Sequence, residues 1–441
     1  MSTLTDRLLP GPMLLMTVAL LIVLGLVAAM NTQFTGLWQV IGLAVLGLAV
    51  IDGLRVWRLD VLRVSRAVPG SLPLGVSLPV RLRLGNTGGQ TVTAQVYDHY
   101  PDQVNAEQLP QTVKVPAFGH TELRYQVTPV ERGTCSFAPA QVRWMSPFGF
   151  WWRDQRLGEA SPVRIYPNFA AVSKYILLLT NARLQQMGIQ HRRKRGEGSE
   201  FHQLREFRQG DSLRQVDWRA TARMRKLISR EYQEERDQNL VLLLDCGRRM
   251  RAQDNDLSHF DHALNAMLLL AYVALRQGDA VGLSTFGGIT RWVQPVRGVP
   301  MLNVLLNAVL ELKPTAEAPD YSQAALNLMA RQRKRAFVVV ISNMRDEDAS
   351  DLLPALHLMR RKHQVVLASL REAVLDQVLK RPVATFDDAL RLAGTHDYLA
   401  ERRCALEALR ANGIACLDVR PDELSVALVN QYLDMKASGI L

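Results

Sequence analysis

The sequence predicts a multidomain membrane protein: a two-helix transmembrane hairpin, then a small all-β sandwich, then a doubly wound α/β domain. Three observations carry that prediction. Two long uncharged apolar runs open the chain, period-two alternation follows them, and the second half interleaves short apolar strands with amphipathic helical stretches. The expected boundaries are 1–58 for the hairpin, 59–167 for the sandwich, 168–237 for a charged junction and 238–441 for the α/β domain.

Residues 12–30 and 37–51 form the two apolar runs, with the short polar link 31–36 between them. Each run with its flanks approaches the roughly 20 residues a helix needs to cross a bilayer. A cleaved signal peptide is the rival reading for the first, because Arg7 precedes it and Ala28 and Ala29 are small, but the second run anchors the chain in either case. The link carries no Lys or Arg, whereas Arg7 stands before the first run and Arg55, Arg58, Arg63 and Arg66 follow the second. The positive-inside rule therefore places both ends, and everything after them, in the cytoplasm. Cys135, Cys246, Cys404 and Cys416 are scattered without zinc-type spacing, as suits a reducing compartment. The net charge of +11 implies attraction to anionic lipid, nucleic acid or an acidic protein, without choosing among them.

Residues 80–84, 91–96 and 121–127 alternate apolar with polar positions and are separated by turn residues such as Gly85-Asn86-Thr87-Gly88-Gly89. That rhythm indicates short strands of a sandwich. The region ends in an aromatic cluster, Trp144, Phe148, Phe150, Trp151 and Trp152, which reads as core and domain contact rather than a ligand site.

Beyond residue 238, the runs 239–244 and 337–341 are continuously apolar, as strands buried on both faces require. Further strands fit 281–286, 364–370 and 414–419, with 292–296 as an antiparallel edge. Helical patterns cover 260–276, 301–312, 321–333, 351–361, 395–411 and 422–436. In a doubly wound sheet, ligands bind at the carboxyl ends of the strands near the topological switch, which singles out Asp245. No glycine-rich phosphate loop follows a predicted strand, and no paired-histidine zinc helix is present. The stretch 282–286 lacks the second glycine of a nucleophile elbow. With no nucleophile or base in view, the expectation is a protein that is not an enzyme.

The junction is the most charged stretch: residues 192–236 hold 13 Lys or Arg against 8 Asp or Glu, threaded by Phe201, Leu204, Phe207, Leu213, Val216 and Trp218. A solvated charge run is one reading. The sharper one is an ordered network in which Asp211, Arg214, Asp217, Arg219 and Arg223 fix a turn and the helix after it, around a buried Trp218.

Several local signatures carry a resemblance: Arg132-Gly133, Ser146-Pro147-Phe148-Gly149-Phe150 and Ile165-Tyr166-Pro167. The longest runs Gly198, Glu200-Phe201, Leu204-Arg205-Glu206-Phe207, Gly210-Asp211, Arg214, Asp217-Trp218 and Thr221-Ala222-Arg223. In these the chain resembles the bacterial family called domain of unknown function 58, whose second half is similar to a von Willebrand factor A domain. Phe207 and Thr221 stand where that pattern has Tyr and Ser. The resemblance implies binding or interdomain roles for Glu200, Phe201, Arg205, Asp211, Arg214, Asp217, Trp218 and Arg223. It also implies a place in the bacterial inner membrane and a MoxR-type AAA+ ATPase as partner in assembling or remodelling envelope complexes.

Von Willebrand A domains hold a divalent ion with an Asp-x-Ser-x-Ser loop, a Thr and a second Asp, all hard oxygen ligands suited to magnesium. Here the first loop reads Asp245-Cys246-Gly247-Arg248-Arg249, Ala318-Pro319-Asp320 stands where the Thr belongs, and Asn343 replaces the second Asp. Asp245, Asp320 and Asn343 thus mark a degenerate site, expected to be metal-free, with weak magnesium binding through Asp320 disfavoured. No other cofactor is expected. The expected function is a membrane-anchored adaptor presenting this domain to cytoplasmic partners. Two alternatives stay open: anionic-lipid or nucleic-acid binding through the basic segment 191–230, and an unrecognised hydrolase around Asp245.

Overall fold

The computed structural model describes residues 6–30, 32–58, 61–168, 195–208, 216–233, 238–254 and 257–438. The chain divides into two compact units, Met1–Tyr166 and Pro167–Leu441.

In the first unit, helices α1 (Pro12–Met30) and α2 (Thr35–Arg58) are each long and apolar enough to cross a membrane. Most of their large side chains are exposed, Leu20, Leu26, Val40 and Leu43 among them, as helices that face lipid require. The Trp38 indole N–H donates to the Leu21 carbonyl across the pair at 2.9 Å. Gly25 makes room for that ring, because a Cβ there would lie 3.1 Å from its nitrogen.

Strands β1 (Arg7–Pro10), β2 (Leu62–Ala67), β3 (Ser71–Pro73), β4 (Leu78–Asn86), β5 (Val92–Tyr97) and β6 (Val104–Glu107) belong to the same unit. So do β7 (Gln111–Val115), β8 (His120–Pro129), β9 (Gly133–Phe137), β10 (Ala140–Met145), β11 (Trp151–Leu157) and β12 (Ser161–Tyr166). They form sheets ordered β1-β11-β10-β5-β7, β2-β4-β8-β6 and β3-β12-β9. Alternation decides what they bury: Val80, Leu82 and Leu84 of β4 and Leu123, Tyr125 and Val127 of β8 all point inward. Inside this core Asp98 is fully buried, accepting from the Tyr125 hydroxyl at 2.5 Å and pairing with Arg66, which also lies over the Phe137 ring.

The sheets are clasped to α2. Asp52, fully buried on that helix, accepts from the Ser146 hydroxyl at 2.5 Å and from the Phe148 amide at 3.4 Å. The Trp151 indole donates to the Ala49 carbonyl at 2.8 Å, and Arg153 donates to the Val56 carbonyl at 2.6 Å while pairing with Asp6 at 2.8 Å. The aromatic motif is therefore a helix-to-sheet contact, with Trp144 buried and Phe148 half exposed.

In the second unit, strands β13 (Arg195–Glu206) and β14 (Ile228–Gln233) form an antiparallel pair, with helix α3 (Trp218–Met224) between them in sequence. An α/β region follows. Its strands are β15 (Asn239–Asp245), β16 (Ala280–Phe286), β17 (Trp292–Val296), β18 (Phe337–Ser342), β19 (Gln364–Leu370) and β20 (Ala415–Val419). Its helices are α4 (His259–Arg276), α5 (Met301–Leu310), α6 (Tyr321–Arg331), α7 (Ala349–Arg360), α8 (Ala373–Lys380), α9 (Phe386–Ala411) and α10 (Leu424–Ala437).

The sheet order is β17-β16-β15-β18-β19-β20, parallel except for the antiparallel edge β17. Helices cover both faces. Leu240, Leu242 and Leu244 of β15 enter one core with α4, α5 and α10, and Val241 and Leu243 enter the other with α6, α7 and α9. Chain order reverses between β15 and β18, so the topological switch lies beside Asp245.

Helix α9 starts nine residues before the expected 395, and α8 falls where no helix is expected. The early start of α9 rests on a local signal, a capping box between Thr385 and Asp388, whereas α8 has no side-chain cap and buries none of its residues.

Candidate functional site at the carboxyl ends of the strands

Asp245 ends β15 and is fully buried. Its Oδ1 accepts from the Gly247 amide at 2.7 Å, and its Oδ2 accepts from the Ser342 hydroxyl at 2.6 Å. Because Ser342 gives its proton to Asp245, the Tyr321 hydroxyl is the donor in its 2.9 Å contact with Ser342. Burial pushes the Asp245 carboxyl up to about 6, against the opposing pull of Ser342, Gly247 and Arg249. Gly287, at φ +73, is required beside it, since a Cβ there would lie 2.8 Å from Asp245 Oδ1.

Thr315, which no sequence pattern singles out, ties the surrounding loops. Its amide donates to the Cys246 carbonyl at 2.7 Å and its hydroxyl to the Gly287 carbonyl at 2.7 Å. Arg249 turns away to Asp348 and Glu347.

A second polar group lies at the neighbouring strand ends. Asn343 Nδ2 donates to Glu372 Oε1 at 3.0 Å and meets His259 Nδ1 at 3.3 Å. An amide nitrogen only donates, so His259 Nδ1 is the acceptor and the ring proton sits on Nε2. Burial lowers the His259 pKa, which keeps the ring neutral. His259 Nε2, Asn343 Oδ1 and Glu372 Oε2 are buried without a hydrogen-bond partner in the protein. Burial raises the Glu372 carboxyl, but the Asn343 amide, its own backbone and Arg402 together hold it below its ordinary value.

Arg402 of α9 closes this end. It is almost fully buried and donates to the Met344 carbonyl, to Ser369 Oγ at 2.7 Å, to the Leu370 carbonyl at 2.8 Å and to Asp418 at 2.8 Å. A mid-helix arginine in a charged sequence gives no hint of this, because only the tertiary fold brings four acceptors to it.

Each of the three positions read as a degenerate metal site is bonded within the protein. Both Asp245 oxygens are engaged, the Asn343 amide donates to Glu372, and Asp320 caps α6 by accepting from the Gln323 amide at 2.8 Å. Among the described residues, no group of three or more His, Cys, Asp or Glu is placed to hold a metal ion.

In the charged junction, Glu200 and Phe201 lie on β13 opposite Gln233 and Tyr232. Asp211 and Arg214 lie outside the described residues. Arg205 donates to the Glu206 carbonyl at 3.1 Å. Asp217 caps α3, its Oδ1 accepting from the Arg219 and Ala220 amides at 3.0 Å each, and its Oδ2 accepts from Arg230 at 2.8 Å. The Ala220 amide and then Arg230 hold its carboxyl below the usual range.

The expected burial of Trp218 is corrected: the side chain is 66% exposed, and Arg223 is exposed as well. The physical reason is the length of α3. Its seven residues bury none of their own number, while Val216 and Ile228 on either side supply the buried contacts.

Residues 203–384 match the family model described as "Protein of unknown function DUF58". Over 263 residues the chain is 22% identical to "Uncharacterized protein YeaD" of Bacillus subtilis (strain 168), covering 58% of this chain and 61% of that protein, so it spans about three fifths of that relative's length. Among solved structures, the CARDB domain of the PF1109 protein from Pyrococcus furiosus is 16% identical, with a TM-score of 0.17 over 24% of this chain and 86% of that one. Native E. coli alpha-2-macroglobulin is 14% identical, with a TM-score of 0.20 over 24% and 7%. Scores this low establish no shared fold.

Proposed function

We propose, from the premise that residues 203–384 belong to the DUF58 family, that this protein is a non-enzymatic adaptor anchored in the bacterial inner membrane. It presents a von Willebrand factor A-like domain to cytoplasmic partners, foremost a MoxR-type AAA+ ATPase. The observation that carries this reading is the clasp between α2 and the β region. Asp52 with Ser146, Ala49 with Trp151, and Val56 with Arg153 fix the sheets to a helix long enough to span a membrane. A mount of that rigidity suits a scaffold.

The strand order with one antiparallel edge supports the von Willebrand reading of the α/β region. We read its strand-end site as free of divalent metal. The residues present do not supply the ion's shell of hard oxygens, since Gly247 and Arg249 stand where the two serines belong and Asn343 replaces the second aspartate.

Gentle detergent extraction, with and without ATP, followed by identification of the co-purifying proteins tests the proposal. An AAA+ ATPase retained in one nucleotide state is the expected result. Its repeated absence in both overturns the reading.

A further inference from the structure

Over residues 49–57, helix α2 has two faces. Ala49, Asp52, Gly53 and Val56 are buried against the sheets, whereas Val50, Ile51, Leu54 and Trp57, on the other side of the helix, are large, apolar and exposed. Water gains nothing from such a face, but lipid covers it. The length of the helix agrees. From Thr35 to Ala49 it rises only about 21 Å, short of the roughly 30 Å of hydrocarbon in a bilayer, while from Thr35 to Trp57 it rises about 33 Å. Trp57, with Arg55 and Arg58 beside it, makes the aromatic and basic end that settles at a membrane surface.

The turn between β10 and β11 is bonded to this same stretch. Asp52 accepts from the Ser146 hydroxyl and the Phe148 amide, and a Cβ on Gly53 would lie 3.2 Å from the Trp151 indole nitrogen. The turn also meets the start of α1. The Gly11 amide donates to the Phe150 carbonyl at 2.7 Å, and a Cβ on Gly149 would lie 3.0 Å from Met13 Cγ and 3.7 Å from Met145 Sδ. Phe148 at the tip is 50% exposed, and Met13 and Met145, both beside Gly149, are exposed too. Because α1 spans about 27 Å from Pro12 to Met30, a turn seated on its first residues stands at the edge of the apolar slab. Its exposed apolar side chains therefore continue the surface of the two helices. Phe118, 78% exposed in the turn between β7 and β8, lies against Gly89 instead of a helix.

We infer that the turn 146–150 is a lipid-seated foot: Phe148 and Met145, with Met13, enter the boundary between headgroups and acyl chains beside α2, so that the bilayer itself helps to hold the β region in place. This deepens the membrane-anchored reading and rests on it. It also accounts for Asp52, since a carboxylate at that depth is tolerated where a hydroxyl and an amide of the turn satisfy it.

The test places the photoreactive residue p-benzoylphenylalanine, one position at a time, at Phe148, Met145, Phe118 and Leu43 of the full chain in phosphatidylcholine nanodiscs, and measures lipid adducts by mass spectrometry after irradiation. Leu43, exposed within α2, reports the span itself. Phe148 and Met145 give lipid adducts at yields within about threefold of Leu43 and roughly fivefold or more above Phe118. Two positions in the turn guard against a probe that disturbs it, and circular dichroism checks each variant. Yields at both no higher than at Phe118 overturn the inference, as does crosslinking of both to a second copy of the chain in place of lipid.

The two readings fail separately. Adducts at Leu43 without adducts at Phe148 or Met145 remove the foot and leave the membrane anchor. Absence of adducts at Leu43 removes the anchor, and the foot with it.

Discussion

The two units differ in how completely their buried polar groups are matched. In the first, buried ions serve as fasteners: Arg66 and Tyr125 both bond to Asp98, and Arg153 joins Asp6 to the α2 backbone. Among the described residues of that unit, Gln155 Oε1 alone is a buried side-chain polar atom lacking a hydrogen-bond partner. In the second, polar side chains collect at the carboxyl ends of parallel strands, and His259 Nε2, Asn343 Oδ1 and Glu372 Oε2 are left unmatched. A saturated network rigidifies, while a partly satisfied one costs stability and persists where something other than stability is served.

The largest expected effect breaks a fastener. Arg66→Met leaves the Asp98 carboxylate buried without its cation, and should lower the stability of the β region by about 3–5 kcal/mol, measured by denaturant unfolding of the full chain in detergent. A loss under about 1 kcal/mol would place that pair among the surface-type bridges.

The next effect has the opposite sign. Asp245 holds its proton more tightly when folded than its ordinary value near 3.8 allows, so its contribution is fully present below about pH 4 and is lost as pH rises through about 6. Asp245→Asn keeps an acceptor for Gly247 and removes the ionisation. The variant should lose the downward slope between pH 4 and 6 and gain up to roughly 3 kcal/mol at pH 7. Thermal melts across that range check it, and a variant less stable than the wild type at pH 7 contradicts it.

The smallest effects lie in the junction. Asp217→Ala removes the α3 cap, and its amides should exchange roughly fivefold faster with little change in global melting. Trp218→Ala, at an exposed position, should move stability by no more than about 0.5 kcal/mol.

Sequence patterns reach as far as burial is periodic. Leu240 to Leu244 announce a strand covered on both faces, and Val80, Leu82 and Leu84 announce one covered on a single face. The same logic found Asp245, because a strand's end and a switch point are both visible in the alternation. It failed at Trp218, where composition suggested a core that a seven-residue helix does not make. It also passed over Thr315, Glu372 and Arg402, whose partners lie 28 to 69, 29 and 16 to 58 residues away. Helix α8 went unread because its eight residues give fewer than the roughly eleven positions over which a helical period can be told from chance.

The central claim, a rigid mount presenting the α/β region to an AAA+ ATPase, is met most directly by measuring the binding of a purified MoxR-type ATPase to the full chain in nanodiscs, in ATP, in ADP and without nucleotide. Saturable binding with a Kd of roughly 10 μM or tighter in one nucleotide state is the result this account predicts. No binding up to roughly 100 μM in any of the three contradicts it.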